Sequence, residues 1–236
     1  VDGIEIRGLR YSELPEDFQQ IIKQTTLTVT RFENISDVEI EELFFRLNNG
    51  VSLRSIESIR VLLGTRNLQT ILKITKHPFF MEKVSISKKR YTDQEVILQL
   101  MMLTKSQDTG LSSNELRLFV ENYRRQPFED ALLDELLVRL DYLNQAFPKK
   151  QSFLKKIHIP MLYYVVDIAN KNDVPPQHFQ LWATDFYKNL SKDSPYYLAS
   201  QSGSAKKENV QIRLSEIQKS FENSIKNYEK SVVSIG

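Results

Sequence analysis

The chain has 236 residues, 41% hydrophobic and 26% charged, with a formal net charge of +2 and no cysteine. That is the composition of an ordinary globular protein with room for a substantial core. The missing thiols exclude a disulfide framework, thiol catalysis and thiolate metal sites, and they fit a reducing, cytoplasmic setting.

Residues 4–7 and 27–32 alternate with period two and are rich in β-branched side chains, which predicts two short strands. Between them Ser12, Glu13 and Pro15 open a short helix, with Ser12 or Glu13 near its cap and Pro15 early. Two short strands do not make a stable sheet by themselves, so residues 1–35 read as the margin of a sheet whose other strands lie elsewhere.

From residue 36 onward the pattern is helical. Ser36 with Glu39, Thr92 with Glu95 and Ser112 with Glu115 each have the spacing of a capping box, a hydroxyl followed three residues later by a carboxylate. Apolar faces follow: Val38, Leu43, Phe44 and Leu47; then Val96, Ile97, Leu100, Met101 and Leu103; then Leu116, Phe119, Val120 and Tyr123. Leu132, Leu133, Leu136, Leu137, Leu140, Leu143 and Phe147 form the cleanest amphipathic helix. Helices are predicted over 152–170 and 176–190, and a last one from near Ser204 carries Val210, Leu214, Ile217, Phe221, Ile225 and Tyr228. Seven glycines are about half the usual proportion, which disfavours hairpin-dense folds. The expected fold is mainly α, a multi-helix bundle with a small N-terminal β-containing edge, organised as 1–35, a helical region 36–147 and a basic helical region 148–236. No apolar run approaches the roughly eighteen residues of a membrane span, and no signal-peptide pattern opens the chain.

Charge is uneven along the chain. Residues 1–148 hold 19 basic and 22 acidic side chains, whereas residues 149–236 hold 13 and 8. A basic last third suits nucleic acid or another acidic partner, and equally a solvated surface. His77, His158 and His178 are scattered, without a second ligand at helical spacing, so no metal or other cofactor is expected. There is no Walker-type or dinucleotide-type glycine loop. Residues 200–207 are flexible in composition and end in Lys206 and Lys207 at a helix start, either a linker or a phosphate contact. Lys88, Lys89 and Arg90, with Tyr91 as a stacking face, form the densest basic cluster; a solvated loop and a grip on a nucleic-acid backbone both fit it.

The most distinctive stretch is Phe45, Arg46, Leu47, Asn48, Asn49 and Gly50, followed by Leu53, Glu57 and Arg60. Asn and Gly tolerate the left-handed backbone that ends a helix, and Leu53 staples the next helix to the core. Arg46, Glu57 and Arg60 then form either an ion-pair lock across two helices or a ligand contact. This corner resembles the family of domain of unknown function 262, proteins with a ParB-like N-terminal fold that include the GmrSD-type restriction endonucleases of bacteria. The family pattern of an aromatic or aliphatic residue, Arg-[Leu/Ile]-Asn-x-Gly, then Leu and Glu, is met by Phe45, Arg46, Leu47, Asn48, Gly50, Leu53 and Glu57, with Arg60 as the common basic follower. Tyr11 to Pro15 with Gln19, the segments around His77 and Arg90, and Ser202 to Ser204 with Lys206 and Arg213 are similar to further family segments.

The resemblance implies a ParB-like core that carries an Asp-Gly-Gln-Gln-Arg-type motif linked to nucleotide binding and nuclease activity. Here Asp2 and Gly3 are followed by Ile4, Glu5, Ile6 and Arg7 instead of the glutamines. The expectation is therefore a helical C-terminal portion, cut from a longer bacterial or phage defence protein and not catalytic by itself. In that reading Arg46, Asn48, Gly50, Glu57 and Arg60 order a turn that faces the core, while Lys88, Lys89, Arg90, Lys206 and Lys207 meet DNA phosphates. The competing expectation is an interaction module that binds a partner subunit or itself through residues 27–32 and the helix over 206–230.

Overall fold

A computed structural model describes residues 6–36, 39–40, 43–44, 55–87 and 89–233, with side chains described through residue 228. The chain divides into two compact units, Val1–Ser36 and Asp37–Gly236.

In the first unit a 3-10 turn, Tyr11–Glu13, precedes helix α1, Glu16–Gln24. The helix starts later than the sequence predicts. Pro15 occupies the N-cap, and the Glu13 carboxylate turns back to accept the Arg10 amide at 2.7 Å. None of residues 6–36 is buried. Residues 27–32, predicted as a strand, carry no strand pairing, and Leu27 and Val29 are 81% and 85% exposed. Alternation gives a segment two faces, but a strand also needs a neighbour for its amides and carbonyls, and none is present among the described residues. Of the expected strand over 4–7, residues 4 and 5 lie outside them, and Ile6 and Arg7 form no strand.

The second unit is helical: α2 (Ser55–Leu62), α3 (Gly64–Ile74), α4 (Thr92–Lys105), α5 (Ser113–Glu121), α6 (Asp130–Ala146), α7 (Ile159–Lys171), α8 (Pro176–Lys188), the short α9 (Pro195–Leu198) and α10 (Lys207–Val233). Two helices are buried on nearly every side and form the centre. Helix α4 buries every residue from Asp93 to Leu103 except Glu95, and α7 buries Ile159 through Val166. A helix without a solvated face needs neighbours on all sides. Accordingly α4 packs on α3, α5, α6 and α7, and α7 also on α6 and α10. Helix α10 lays Val210, Leu214, Ile217, Phe221 and Ile225 against this centre at steps of three and four, as its sequence predicts. Gly64 joins α2 to α3 with φ +65°, a left-handed bend that a Cβ disfavours.

Ser112 and Glu115 form the predicted capping box, with the Ser112 amide donating to the carboxylate at 3.1 Å. The box at Thr92 does not form. The cap there is the left-handed Tyr91, and the Thr92 hydroxyl donates instead to the Lys89 carbonyl at 3.2 Å. The box at Ser36 falls partly outside the described residues. Phe79 and Phe80 are buried edge to face at 5.4 Å, and they begin a π-helical turn, Phe79–Lys83. Residues 152–158 form turns, so the predicted helix over 152–170 begins only at Ile159.

Candidate functional site

The polar corner is described only in part, since Arg46, Asn48 and Gly50 lie outside the described residues. Glu57 in the first turn and Arg60 in the last turn of α2 line a cavity of about 520 Å³ with Phe44, Leu68 and Tyr91. The Arg60 guanidinium lies 3.8 Å over the centre of the Tyr91 ring, and its Nη1 donates to Gln94 Oε1. Arg60 is thus gripped by an aromatic face and an amide on the approach to α4, an arrangement that sequence spacing within α2 did not reveal.

The basic cluster before α4 is strained. Arg90 and Tyr91 both have left-handed backbone, φ +56° and +62°, in the 3-10 turn Lys89–Tyr91. Side chains other than glycine pay about 1–2 kcal/mol for that region. Lys89 and Arg90 are exposed, and Lys88 lies outside the described residues. Arg90→Gly is expected to raise stability by about 0.5 kcal/mol, read from a urea transition, since the relief of strain exceeds the added entropy of the unfolded chain.

A second cavity, of about 480 Å³, gathers residues the sequence keeps far apart. Three chain segments that each lead into a helix converge on it. Leu111, Ser112 and Ser113 come from the start of α5; Lys155, Lys156 and Ile157 precede α7; Ser204 and Ala205 precede α10. The Leu111 amide donates to the Ala205 carbonyl at 2.8 Å, tying two of these segments together. Arg213, in the second turn of α10, closes the cavity and is only 2% exposed. Its Nη1 donates to the Ile157 carbonyl at 2.7 Å, its Nη2 to the Ser204 carbonyl at 2.6 Å and its Nε to the Asn209 carbonyl at 3.4 Å. Burial pushes its pKa down, and the nearby Tyr196 and Tyr187 oppose that shift. No carboxylate pairs with it among the described residues.

No family model, curated protein or solved structure matches the chain. Lys156 reaches the first-turn Glu95 of α4 at 2.6 Å, whereas Lys155 is exposed and has no ion-pair partner among the described residues. Of the predicted phosphate contacts, Lys206 and Lys207 directly follow the Ser204–Ala205 wall and are exposed. Lys207 pairs with Asp108 at 2.8 Å, an exposed and hence weak pair. Lys89 and Arg90 belong to the turn that enters α4 and line neither cavity.

Sequence reasoning therefore named one side of this basic site and missed Lys155, Lys156 and the buried charge of Arg213. The adjacent lysines offered a signal. Arg213 offered none, because a periodic helix does not show which of its polar residues meets other loops.

Behind the cavity His158 Nδ1 and the Tyr196 hydroxyl lie 2.9 Å apart, and the Tyr196 and Tyr187 hydroxyls are also 2.9 Å apart. Burial, with Arg213 and Lys155 nearby, pushes the His158 pKa down to about 4. Among the described residues no three His, Asp or Glu side chains are grouped to hold a metal ion, and no helix is long and apolar enough to cross a membrane.

Proposed function

We propose that the chain is a non-catalytic helical portion of a ParB-like nuclease or NTPase-family protein, serving in bacterial or phage defence, and that it contacts DNA through backbone phosphates. The supporting observation is the convergence of Lys155, Lys156 and Arg213 on one cavity whose wall runs directly into Lys206 and Lys207. Cations on two separate segments follow a phosphate chain better than a single basic run does, and among the described residues the only acidic side chain lining the cavity is Glu95. Arg46, Asn48, Gly50, Glu57 and Arg60 keep a structural role in this reading, ordering a turn that faces the family core.

Fluorescence anisotropy of a short labelled duplex tests the proposal. Binding is expected at low salt, with log K falling against log salt at a slope of about −3 for three to four contacts. Replacing Lys155 and Lys206 with glutamine is expected to reduce the magnitude of that slope by about 2. Absence of binding at low salt, or a double variant with an unchanged slope, contradicts the assignment.

A second reading is supported by the first unit, where Ile21, Leu27 and Val29 are more than 60% exposed on a segment that buries nothing of its own. Residues 27–32 would then pair with a strand of a partner subunit or a second copy. Light scattering at two concentrations separates the cases, because self-association raises the apparent mass with concentration.

A further inference from the structure

We infer that the cavity closed by Arg213 is a seat for a single phosphoryl group. This rests on reading the surrounding surface as one for anionic ligands, and it names the group that enters. A guanidinium has five N–H donors in a planar fork. Three atoms of the Arg213 fork hold the carbonyls of Ile157, Ser204 and Asn209, which fixes the group in place and leaves its charge without an opposing carboxylate. A full charge kept 98% out of water is costly unless a counter-charge arrives.

The remaining lining supplies what such a counter-charge needs. Lys155 and Lys156 come from a segment beside Arg213, with Ile157 supplying one of its carbonyl anchors. Lys156 has a substitute partner in Glu95 at 2.6 Å, while Lys155 is left for the ligand. Ser112, Ser113 and Ser204 add hydroxyl groups to the wall. Three cations against one carboxylate leave the lining two charges positive, matching a phosphate dianion. The volume of about 480 Å³ is ample for a phosphate with its sugar. Hydrogen bonds between cations and phosphate oxygens are the strong, charge-assisted kind, and the prearranged Arg213 pays little entropy to make them.

Inorganic phosphate is the probe, compared with chloride at equal ionic strength, on the full chain. Two readouts are followed: the thermal transition and the Nε–H resonance of Arg213. Phosphate is expected to raise the transition saturably and to shift that resonance, and Lys155→Gln is expected to weaken the apparent affinity about three- to tenfold. Lys155 is exposed, so this variant keeps the fold, whereas a change at Arg213 removes three carbonyl anchors. Equal responses to phosphate and chloride, or a Lys155→Gln protein that responds like the unaltered one, overturn the seat.

Duplexes with a 5′-hydroxyl or a 5′-phosphate are then used to displace the phosphate. Displacement by both identifies internal phosphodiesters as the source; displacement by the phosphorylated duplex alone identifies terminal phosphate. Phosphate binding that neither duplex displaces keeps the seat and removes the DNA reading. DNA binding without phosphate binding removes the seat and keeps the DNA reading.

Discussion

Asn67→Ala is expected to destabilise the protein by about 3 kcal/mol. Asn67 is 4% exposed on α3, and its amide meets three backbone groups of one connection. Its Nδ2 donates to the Tyr123 and Gln126 carbonyls, both at 2.9 Å, and its Oδ1 accepts the Phe128 amide at 3.1 Å. That connection, between α5 and α6, carries Tyr123 and Phe128 into the core with ring centres 4.9 Å apart. Alanine leaves the Phe128 amide and two carbonyls without partners in a place water reaches poorly, so the cost exceeds that of the lost bonds alone. Urea denaturation is the check, with Asn114→Ala at an exposed position as a comparison expected to stay within about 0.5 kcal/mol. A loss below about 1 kcal/mol for Asn67→Ala would mean that the connection is held by its aromatic side chains and not by this amide.

Acid is expected to remove a comparable amount of stability through His158. Its pKa is about 4 in the folded protein against 6.5 for the free side chain, so the unfolded chain binds the proton more tightly. Between those values the unfolded state holds more protons, and stability rises with pH. The stability is complete above pH 6.5 and declines by up to about 3 kcal/mol as pH falls toward 4. The cause is burial first, then repulsion from Arg213 and Lys155. His178, also shifted down by burial, adds to the fall with the same sign. Unfolding free energies measured in steps from pH 7.5 to 4 provide the test. His158→Gln keeps a polar group beside the Tyr196 hydroxyl but does not titrate, so its profile is expected to be flatter over the same range. Parallel profiles for the two proteins would show that His158 takes up its proton equally readily in the folded and unfolded states.

The helical bundle was legible because its signals are periodic and local. Val210, Leu214, Ile217, Phe221 and Ile225 announce one buried face, and the same stripe is buried in the fold. The Ser112–Glu115 cap was legible for the same reason: both partners lie within one turn. Thr92 misled because a capping box also requires an extended backbone at the cap, and Tyr91 turns left-handed there while Arg60 stacks on its ring. Residues 27–32 carry no strand pairing among the described residues, because alternation specifies faces and cannot supply a neighbouring strand.

The site was less legible than the fold. Lys206 and Lys207 advertise themselves as a run, but their neighbours Lys155, Lys156 and Arg213 join them only through the packing of α7 against α10. Asn67 and Arg213 are polar residues on helices whose partners are backbone carbonyls of remote connections. Backbone acceptors exist at every position, so composition and spacing carry no trace of such pairings. The corner around Glu57 and Arg60 was singled out by its motif, and the structure adds Tyr91 and Gln94 as the partners of Arg60.

Amide hydrogen exchange of the full chain, with and without a short DNA duplex, tests the central claim most directly. The account predicts slowed exchange at residues 111–113, 155–158 and 204–209 together, because one phosphate-lined ligand would close all three approaches to the Arg213 cavity. Protection confined to residues 89–91, or no change anywhere at low salt, would contradict it.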